Sequence, residues 1–257
     1  MLLAIDIGNS NTVIGCFQGK KLSNFFRISS HPNQTPDEVY LILKNLLNQK
    51  SLGKIKAGII CSVVPSLITV YLEMLQKYLK IKPVIVSSNL PLGIKILYTD
   101  PAQVGADRLA NAVAAWKLYG GPTIVVDLGT ATTFDVISAK GEYVGGAICP
   151  GIETSAVDLF RRAAQLFKVK LERPERVIGK TTEESLRSGI IFGTAGQIDG
   201  MVEKIENELG KKCKVIATGG LAPLVFGLSK KIQKMNLSLT LEGLRLIYEK
   251  CQSTSKI

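Results

Sequence analysis

The sequence predicts an α/β protein with two similar lobes, each a mixed β-sheet flanked by helices. Two observations predict this class. A strand–aspartate–glycine–strand unit occurs twice, and apolar strands alternate with amphipathic helices along the rest of the chain. We therefore expect a first lobe over residues 1–115, which carries the start of a substrate-binding helix, and a second lobe over residues 116–257.

The first copy of the repeated unit lies at the N-terminus. An apolar run ends at Asp6, small polar residues follow Gly8, and a second apolar run begins at Val13. This pattern predicts a β-hairpin whose tip offers a carboxylate and backbone N–H groups. Such a tip can hold a phosphate tail, because glycine lets the backbone approach closely and the acid holds a cation. An ordinary turn explains this stretch equally well when it is taken alone.

The second copy covers residues 124–134 and favours the phosphate interpretation of both. Asp127 aligns with Asp6, and Gly129 aligns with Gly8. Two copies about half a chain apart indicate two lobes that each offer an acidic hairpin to a shared cleft. Chance repetition is the alternative.

The segments between the two copies alternate helix and strand. Thr35 is predicted to cap a helix that opens with proline and two acids. The other predicted elements are a third strand over residues 21–28, a strand over 55–64, a helix over 65–80, a strand over 83–87 and a long helix that ends at Tyr119.

Asp107 and Arg108 lie in the first turn of that long helix, just after a glycine. The helix dipole favours a carboxylate there and is expected to keep it ionised. An ionised acid at this place could accept a proton from a substrate hydroxyl, and Arg108 could pair with a substrate carboxylate. The alternative is that Asp107 caps the helix and Arg108 forms a surface salt bridge.

The second lobe continues with helices that begin near glycine or threonine. Pro150 and Gly151 open one helix, and Thr181 or Thr182 is predicted to cap the longest helix, which runs from Glu183 to Leu209. A strand then ends at Gly219-Gly220, a junction that admits an adenosine or ribose against bare backbone. A tight strand–helix turn is the alternative. A final helix over residues 241–251 is expected to pack on the core.

Composition excludes several classes of function. The chain of 257 residues is 46% hydrophobic and 21% charged, which is typical of a soluble globular protein. Since no apolar run approaches the ~18 residues of a membrane span, we expect a cytoplasmic protein with no membrane partner. His31 is the only histidine and the five cysteines form no CxxC pair, which argues against zinc sites and histidine-based nucleophilic catalysis. The general base must then be a carboxylate, or less often Lys, Tyr or Cys.

A formal charge of +11 points to anionic partners. Nucleic acid is one candidate, and a substrate such as ATP, attracted by electrostatic steering, is another. No interleaved aromatic platform and no helix-turn-helix signal accompany the charge, so we do not expect nucleic-acid binding. A solvated basic face explains the charge most simply.

Five motifs in order carry a family resemblance. They are Asp-Ile-Gly-Asn-Ser-Asn-Thr at 6–12, Gly-Ala-Asp-Arg at 105–108, Asp-Leu-Gly-Thr-Ala-Thr-Thr at 127–133, Gly-Gly-Ala-Ile-Cys-Pro-Gly at 145–151 and Thr-Gly-Gly-Leu at 218–221. From Met1 to about Tyr248 the chain resembles the type III pantothenate kinases, within the acetate- and sugar-kinase, heat-shock and actin superfamily. The resemblance implies an actin-like ATPase, or ribonuclease H-like, duplication. It also implies ATP-dependent phosphorylation of the primary hydroxyl of pantothenate to 4'-phosphopantothenate, the first step of coenzyme A biosynthesis.

The resemblance also implies roles for individual residues. Asp107 would be the catalytic base, Asp127 would bind a monovalent cation, K⁺ or NH₄⁺, and Asp6 could contact the Mg²⁺ that ATP carries. The implied ATP-binding residues are Asp6, Ile7, Gly8, Asn9, Ser10, Asn11, Thr12, Val13 and Thr130. The implied pantothenate-binding residues are Tyr98, Gly105, Ala106, Asp107, Arg108 and Thr182. Family members are homodimers, so a homodimer is implied here.

Two departures from the family pattern are small. Ser10 stands where threonine is common, which keeps the hydroxyl, and Thr99-Asp100 follows Tyr98 where Asp-Asn is usual. Two other functions remain as alternatives. One is a nucleotide- or nucleic-acid-binding accessory regulator on the same fold, and the other is a kinase for another small hydroxy acid or sugar.

Overall fold

A computed structural model of the chain describes residues 1–47, 49–163 and 166–254. The chain forms two compact units, one of residues 1–114 together with 239–257 and one of residues 115–238. Residues 255–257, which the sequence analysis assigned to the second lobe, lie outside the described part. None of the helices in the described part combines the length and apolar character that a membrane crossing requires.

The first unit begins with three strands and then alternates helix and strand. Its elements are β1 Leu2–Ile7, β2 Asn11–Gln18, β3 Lys21–Ser29, α1 Pro36–Leu46, α2 Gln49–Leu52, β4 Ala57–Ser62, α3 Pro65–Leu79, β5 Val84–Ile85, β6 Lys95–Ile96 and a short 3₁₀ turn Pro101–Gln103. The helix α4 Ala106–Tyr119 contains the boundary between the two units.

The second unit repeats this order. Its elements are β7 Thr123–Leu128, β8 Ala131–Ile137, β9 Glu142–Pro150, α5 Ile152–Arg162, α6 Thr182–Leu209, β10 Lys214–Thr218, α7 Ala222–Val225 and β11 Lys234–Met235. The chain ends with α8 Leu239–Thr254, which is part of the first unit.

The placement of α8 differs from the predicted division of the chain. The helix packs on β1, β2 and β4, where Leu241 and Leu244 are buried. The backbone of Gly243 lies so close to Ala110 of α4 that a Cβ there would overlap it. The sequence shows that α8 is amphipathic, but it does not show which of two similar cores the apolar face covers.

Five strands of each sheet follow the same order, which confirms the predicted duplication. The order is β3-β2-β1-β4-β5 in the first unit and β9-β8-β7-β10-β11 in the second. In each, three antiparallel strands form a meander, and the first of them also pairs with a parallel strand. A register shift occurs at the same place in both meanders, between Cys16 and Phe17 and between Val136 and Ile137.

Burial follows the same repeat and places the two acids at equivalent positions. In each of the six-residue strands β1 and β7, only the fifth residue, Asp6 or Asp127, is partly exposed. The other side chains of each strand are buried, as expected for strands covered on both faces. Each unit has its own apolar core, around Ile5, Leu43 and Tyr71 in the first and around Phe134 and Ile198 in the second. Each fully buried side chain of this size contributes about 1.5–3 kcal/mol of transfer free energy.

Two predicted helix starts are confirmed by their caps. At α1 the Glu38 amide donates to the Thr35 hydroxyl at 3.3 Å, and the Glu38 carboxylate accepts from the Thr35 amide at 2.8 Å. At α6 the Thr181 hydroxyl accepts from the Glu184 amide at 3.1 Å, which makes Thr181 rather than Thr182 the cap.

Candidate active-site residues

The first predicted hairpin is present, and its tip is held by backbone hydrogen bonds. β1 pairs antiparallel with β2, and the Gly8 amide donates to the Asn11 carbonyl at 3.0 Å. The Ser30 amide donates to the Ser10 carbonyl, also at 3.0 Å, which fixes the far side of the tip. The side chains of Asn9 and Ser10 are exposed.

The residues of the predicted phosphate loop differ in what they can offer a ligand. Asp6 and Val13 are partly exposed, whereas the side chain of Ile7 is buried in the core of the first unit. The Thr12 hydroxyl is also buried and lies 2.9 Å from the Ser30 hydroxyl. Ile7 and Thr12 therefore contribute backbone and support to this loop, and its reachable carboxylate is Asp6.

Asp6 and Asp107 lie beside the same buried thiol in the first unit. The Cys61 thiol donates a hydrogen bond to Asp6 Oδ1 at a sulfur–oxygen distance of 3.2 Å. Burial raises the pKa of the Cys61 thiol well above its ordinary value, and the charges of Asp6 and Asp107 raise it further. The structure thus brings the predicted base and the predicted phosphate-loop acid close to one side chain.

The carboxylate of Asp107 is fixed at the start of α4. Its Oδ1 atom accepts from the Arg108 amide at 2.8 Å, and the Leu109 amide bonds to the Gly105 carbonyl at 3.0 Å. A Cβ on Gly105 would lie only 2.6 Å from Asp107 Oδ1. Glycine at 105 is what leaves room for this carboxylate, which accepts the Arg108 amide in the first turn of α4.

One alternative for this helix start is wrong, because Arg108 is only 8% exposed and is not placed for a surface salt bridge. Burial raises the pKa of Asp107 above its ordinary value, although the Arg108 amide and charge oppose the shift. A carboxylate with a raised pKa binds a proton more readily and suits a general base.

The remaining predicted substrate contacts are distributed over loops and helix starts. Tyr98 is 37% exposed in the loop after β6, and Ala106 is the first residue of α4. Thr182 is exposed as the first residue of α6. Their roles stay predictions.

The second hairpin contacts two other glycine motifs within its own unit. Gly219, at φ +90°, passes so close to Asp127 that a Cβ there would lie 2.5 Å from Asp127 Oδ1. The carbonyl of Thr130, at the hairpin tip, accepts from the Gly151 amide at 3.2 Å and the Thr154 hydroxyl at 2.6 Å. The second predicted phosphate loop, the predicted adenosine turn and the start of α5 are therefore adjacent.

These residues fit magnesium-bound ATP better than a metal bound by protein alone. Within the described residues, no group of three His, Cys, Asp or Glu side chains is placed to hold a metal ion. Magnesium commonly binds through one or two carboxylates together with substrate phosphates, and Asp6 and Asp127 are single acids at strand ends. The bare backbone at Gly219 lets this turn pack directly against Asp127 and Leu128 of the second hairpin.

Comparison with known proteins decides the family. The family model described as type III pantothenate kinase matches residues 2–204. The chain belongs to the type III pantothenate kinase family. The type III pantothenate kinase of Moorella thermoacetica is 47% identical over 252 residues, covering 97% of this chain and 99% of its own. That of Myxococcus xanthus is 44% identical over 250 residues, covering 96% and 98%.

Solved structures confirm the actin-like ATPase fold. The activator of 2-hydroxyisocaproyl-CoA dehydratase from Clostridium difficile, with bound ADPNP, superposes with a TM-score of 0.57 at 12% identity, covering 100% of this chain and 97% of that one. The ROK hexokinase from Thermus thermophilus gives a TM-score of 0.53 at 12% identity, covering 96% and 97%. At these identities the likeness concerns the fold alone.

Sequence reasoning missed Cys61 as a neighbour of the site. The signal that could have indicated it is the position of Cys61 and Ser62 at the carboxyl end of an apolar strand, where α/β sheets place functional side chains. That Cys61 lies opposite Asp6 follows only from the parallel pairing of β4 with β1.

Proposed function

We propose that this protein transfers the γ-phosphoryl group of ATP to the primary hydroxyl of pantothenate, forming 4'-phosphopantothenate in the first step of coenzyme A biosynthesis. Family membership supports the reaction class and the substrate. The structural observation that carries the proposal is the carboxylate of Asp107, with a raised pKa, beside the same thiol as Asp6. We propose a cytoplasmic location from the sequence alone.

In this proposal Asp107 accepts the proton of the pantothenate hydroxyl as the oxygen attacks the γ-phosphorus. Phosphoryl transfer depends on in-line placement, charge neutralisation and a place for the hydroxyl proton. The raised pKa of Asp107 makes its carboxylate a stronger base for the hydroxyl proton. The buried guanidinium of Arg108 would bind the pantothenate carboxylate, since a planar fork with little water around it suits that group.

The two hairpins would bind the nucleotide end of the reaction. The loop from Asp6 to Val13 would hold ATP phosphates, Thr130 would contact ATP, and Asp127 would hold K⁺ or NH₄⁺. The magnesium carried by ATP, near Asp6, and the monovalent cation would supply charge neutralisation. Tyr98, Gly105, Ala106 and Thr182 would complete the pantothenate site.

We also propose a homodimer, supported by an open surface on α6. A groove of about 400 Å³ in the second unit lies along this helix. Its lining includes Leu159 of α5 and the glycines Gly189 and Gly193, and a Cβ added to either glycine would meet no neighbour within 4 Å. Small residues along a helix allow a second helix to approach closely. Ile148 on β9, two residues before Pro150 of the groove lining, is 65% exposed.

A substrate panel tests the function. Purified protein receives ATP, Mg²⁺ and K⁺ together with pantothenate, other small hydroxy acids or sugars, and ADP release is followed. The proposal expects ADP release that depends on pantothenate and is at least about tenfold faster than with any other acceptor. A stronger response to a different acceptor would assign another kinase activity. Salt-dependent binding of DNA or RNA without ADP release would favour the regulator instead.

A further inference from the structure

The Cys61 thiol occupies a rigid position directly opposite the phosphate-loop acid. Cys61 and Asp6 are register partners in the parallel pair of β4 and β1, and the thiol donates to Asp6 Oδ1 at 3.2 Å. Cys61 has no exposed surface. The strand end is fixed after it, because the Val63 amide continues the ladder to the Ile7 carbonyl at 3.1 Å and the Ser62 hydroxyl accepts from the Val64 amide at 2.9 Å.

The second unit has a comparable residue at the same register position. In the parallel pair of β10 and β7, the register partner of Asp127 is Thr218, another small residue with a hydrogen-bonding side chain, which is 1% exposed. The neighbours two residues earlier in the register, Ile59 and Ile216, are both apolar. In both units the residue opposite the acid therefore carries a hydrogen-bonding side chain, whereas the residue two positions earlier is apolar.

We propose that Cys61 is a positioning residue for the nucleotide site: its thiol donates to Asp6 Oδ1 and holds that carboxylate in the orientation that receives magnesium-bound ATP. This inference rests on the proposed function, because it takes Asp6 as part of the phosphate loop. Its physical basis is preorganisation. A carboxylate that is already oriented loses less conformational freedom when the ligand binds.

A neutral donor is the suitable group at this position. A cation in place of Cys61 would neutralise Asp6 and compete with the metal for its oxygens, whereas a further acid would repel both Asp6 and Asp107. An apolar side chain would leave the Asp6 oxygen without this donor. The thiol donates while leaving the charge of Asp6 in place.

The test is a crossed pair of substitutions that separates hydrogen bonding from packing. Cys61→Ser keeps a donor and loses volume, while Cys61→Val keeps apolar volume and loses the donor. Dissociation constants for MgATP are measured by calorimetry without pantothenate, and steady-state kinetics then give KM for ATP and kcat. We expect Cys61→Val to weaken MgATP binding about fivefold to tenfold, and Cys61→Ser to stay within about threefold of the unaltered protein.

Cys16 provides the matched control. It is a fully buried cysteine on β2 of the same sheet, and its register partner on β1 is Leu3 rather than an acid. Cys16→Val and Cys16→Ser are expected to change Tm while leaving MgATP affinity within twofold. Tm is measured for every variant, so a loss of fold is separated from a loss of affinity.

The outcomes are distinct for the two proposals. Cys61→Val with unaltered affinity, or Cys61→Ser weakened as much as Cys61→Val, overturns the positioning role of the thiol. If the unaltered protein binds MgATP but shows no turnover with pantothenate, the proposed function fails while the affinity ratios still decide the role of Cys61. If it does not bind MgATP at all, both proposals are overturned.

Discussion

At the scale of single residues, Asp107 combines features that oppose each other energetically. Its carboxylate is enclosed enough that burial raises its pKa, yet it accepts the Arg108 amide, which favours the charged form. A buried acid costs folding free energy when it ionises. This cost is expected where a group serves chemistry rather than stability.

The pH dependence of Asp107→Asn follows from that pKa. Because the folded-state pKa lies above the ordinary 3.8, ionisation favours the unfolded state, and the stability from this group falls as pH rises between those two values. The asparagine variant has no such loss, so we expect its Tm at pH 7 to equal or exceed that of the unaltered protein. Thermal unfolding across pH measures this. A clearly lower Tm would mean that the ionised carboxylate stabilises the fold.

Gly105→Ala tests the placement of the Asp107 carboxylate without changing Asp107 itself. The new Cβ would lie 2.6 Å from Asp107 Oδ1 and force the carboxylate to move. We expect kcat to fall on the order of tenfold to a hundredfold, since misplacement of a catalytic group by about 1 Å has effects of this size.

The control for that variant is Gly196→Ala on α6, where an added Cβ meets nothing within 4 Å. It should keep kcat and gain up to about 1 kcal/mol of stability, because alanine favours the helix. Equal kcat values for Gly105→Ala and the unaltered protein would show that Asp107 tolerates displacement.

The residue scale is where sequence reasoning was weakest. The motif around Asp107 was identified, but its pKa shift and the burial of Arg108 depend on how closely the neighbouring strands and helices enclose them. The contact between Cys61 and Asp6 depends on strand pairing between residues 55 positions apart. Local pattern carries no information about either enclosure or pairing.

At the scale of elements, the repeat and its hairpins were predictable, whereas the parallel strand partners were not. Both hairpins, both helix caps and the strand that follows each hairpin are visible as short-range patterns. The second turn is one residue shorter than the first, since Leu128 pairs with Thr132 whereas Ile7 pairs with Thr12. Alignment of the two acids does not reveal this difference, because it appears only in the ladder.

Glu206, near the end of α6, anchors this helix to the segments around Cys213 and Lys231 of the second unit. Its carboxylate is 5% exposed, accepts from Lys231 and Lys212 at 2.9 Å each, and accepts from the Cys213 amide at 3.0 Å. Burial alone would raise the pKa of Glu206, but these donors outweigh it and lower the pKa to about 2.

Glu206→Gln is therefore expected to destabilise the protein by about 1–3 kcal/mol at pH 7, because both lysines lose their buried partner. The pKa lies below the ordinary 4.5, so the stabilisation is full above pH 4.5 and is lost as pH falls towards 2. Urea unfolding at pH 7 and pH 3 measures it, with the exposed Glu208→Gln as control. Identical unfolding of the two variants would remove Glu206 as an anchor.

At the scale of the whole molecule, duplication explains why one chain carries two acidic hairpins. The same sheet order, bulge position and burial pattern recur in both units. The family assignment agrees with the resemblance that the five ordered motifs predicted. The division of the chain was less predictable, because α8 returns to the first unit after the second is complete.

The proposed homodimer makes a prediction about mass. Sedimentation should give about twice the 27.8-kDa mass of one chain. Leu159→Glu puts a charge in the α6 groove and should shift the protein to a monomer. Leu41→Glu is the control, because Leu41 is similarly exposed, at 56% against 41%, and lies on α1 of the first unit. Analytical ultracentrifugation that finds a monomer before substitution, or a dimer in both variants, would contradict this interface.

The central claim is that Asp107 accepts the hydroxyl proton while ATP phosphorylates pantothenate. Phosphorus NMR tests it by comparing the unaltered protein with Asp107→Asn, each given ATP, Mg²⁺, K⁺ and pantothenate. We predict a new phosphomonoester signal that forms only when pantothenate is present, and forms on the order of 10²-fold or more slowly with the folded asparagine variant. Absence of that ester, or its formation at the same rate by both proteins, would contradict the claim.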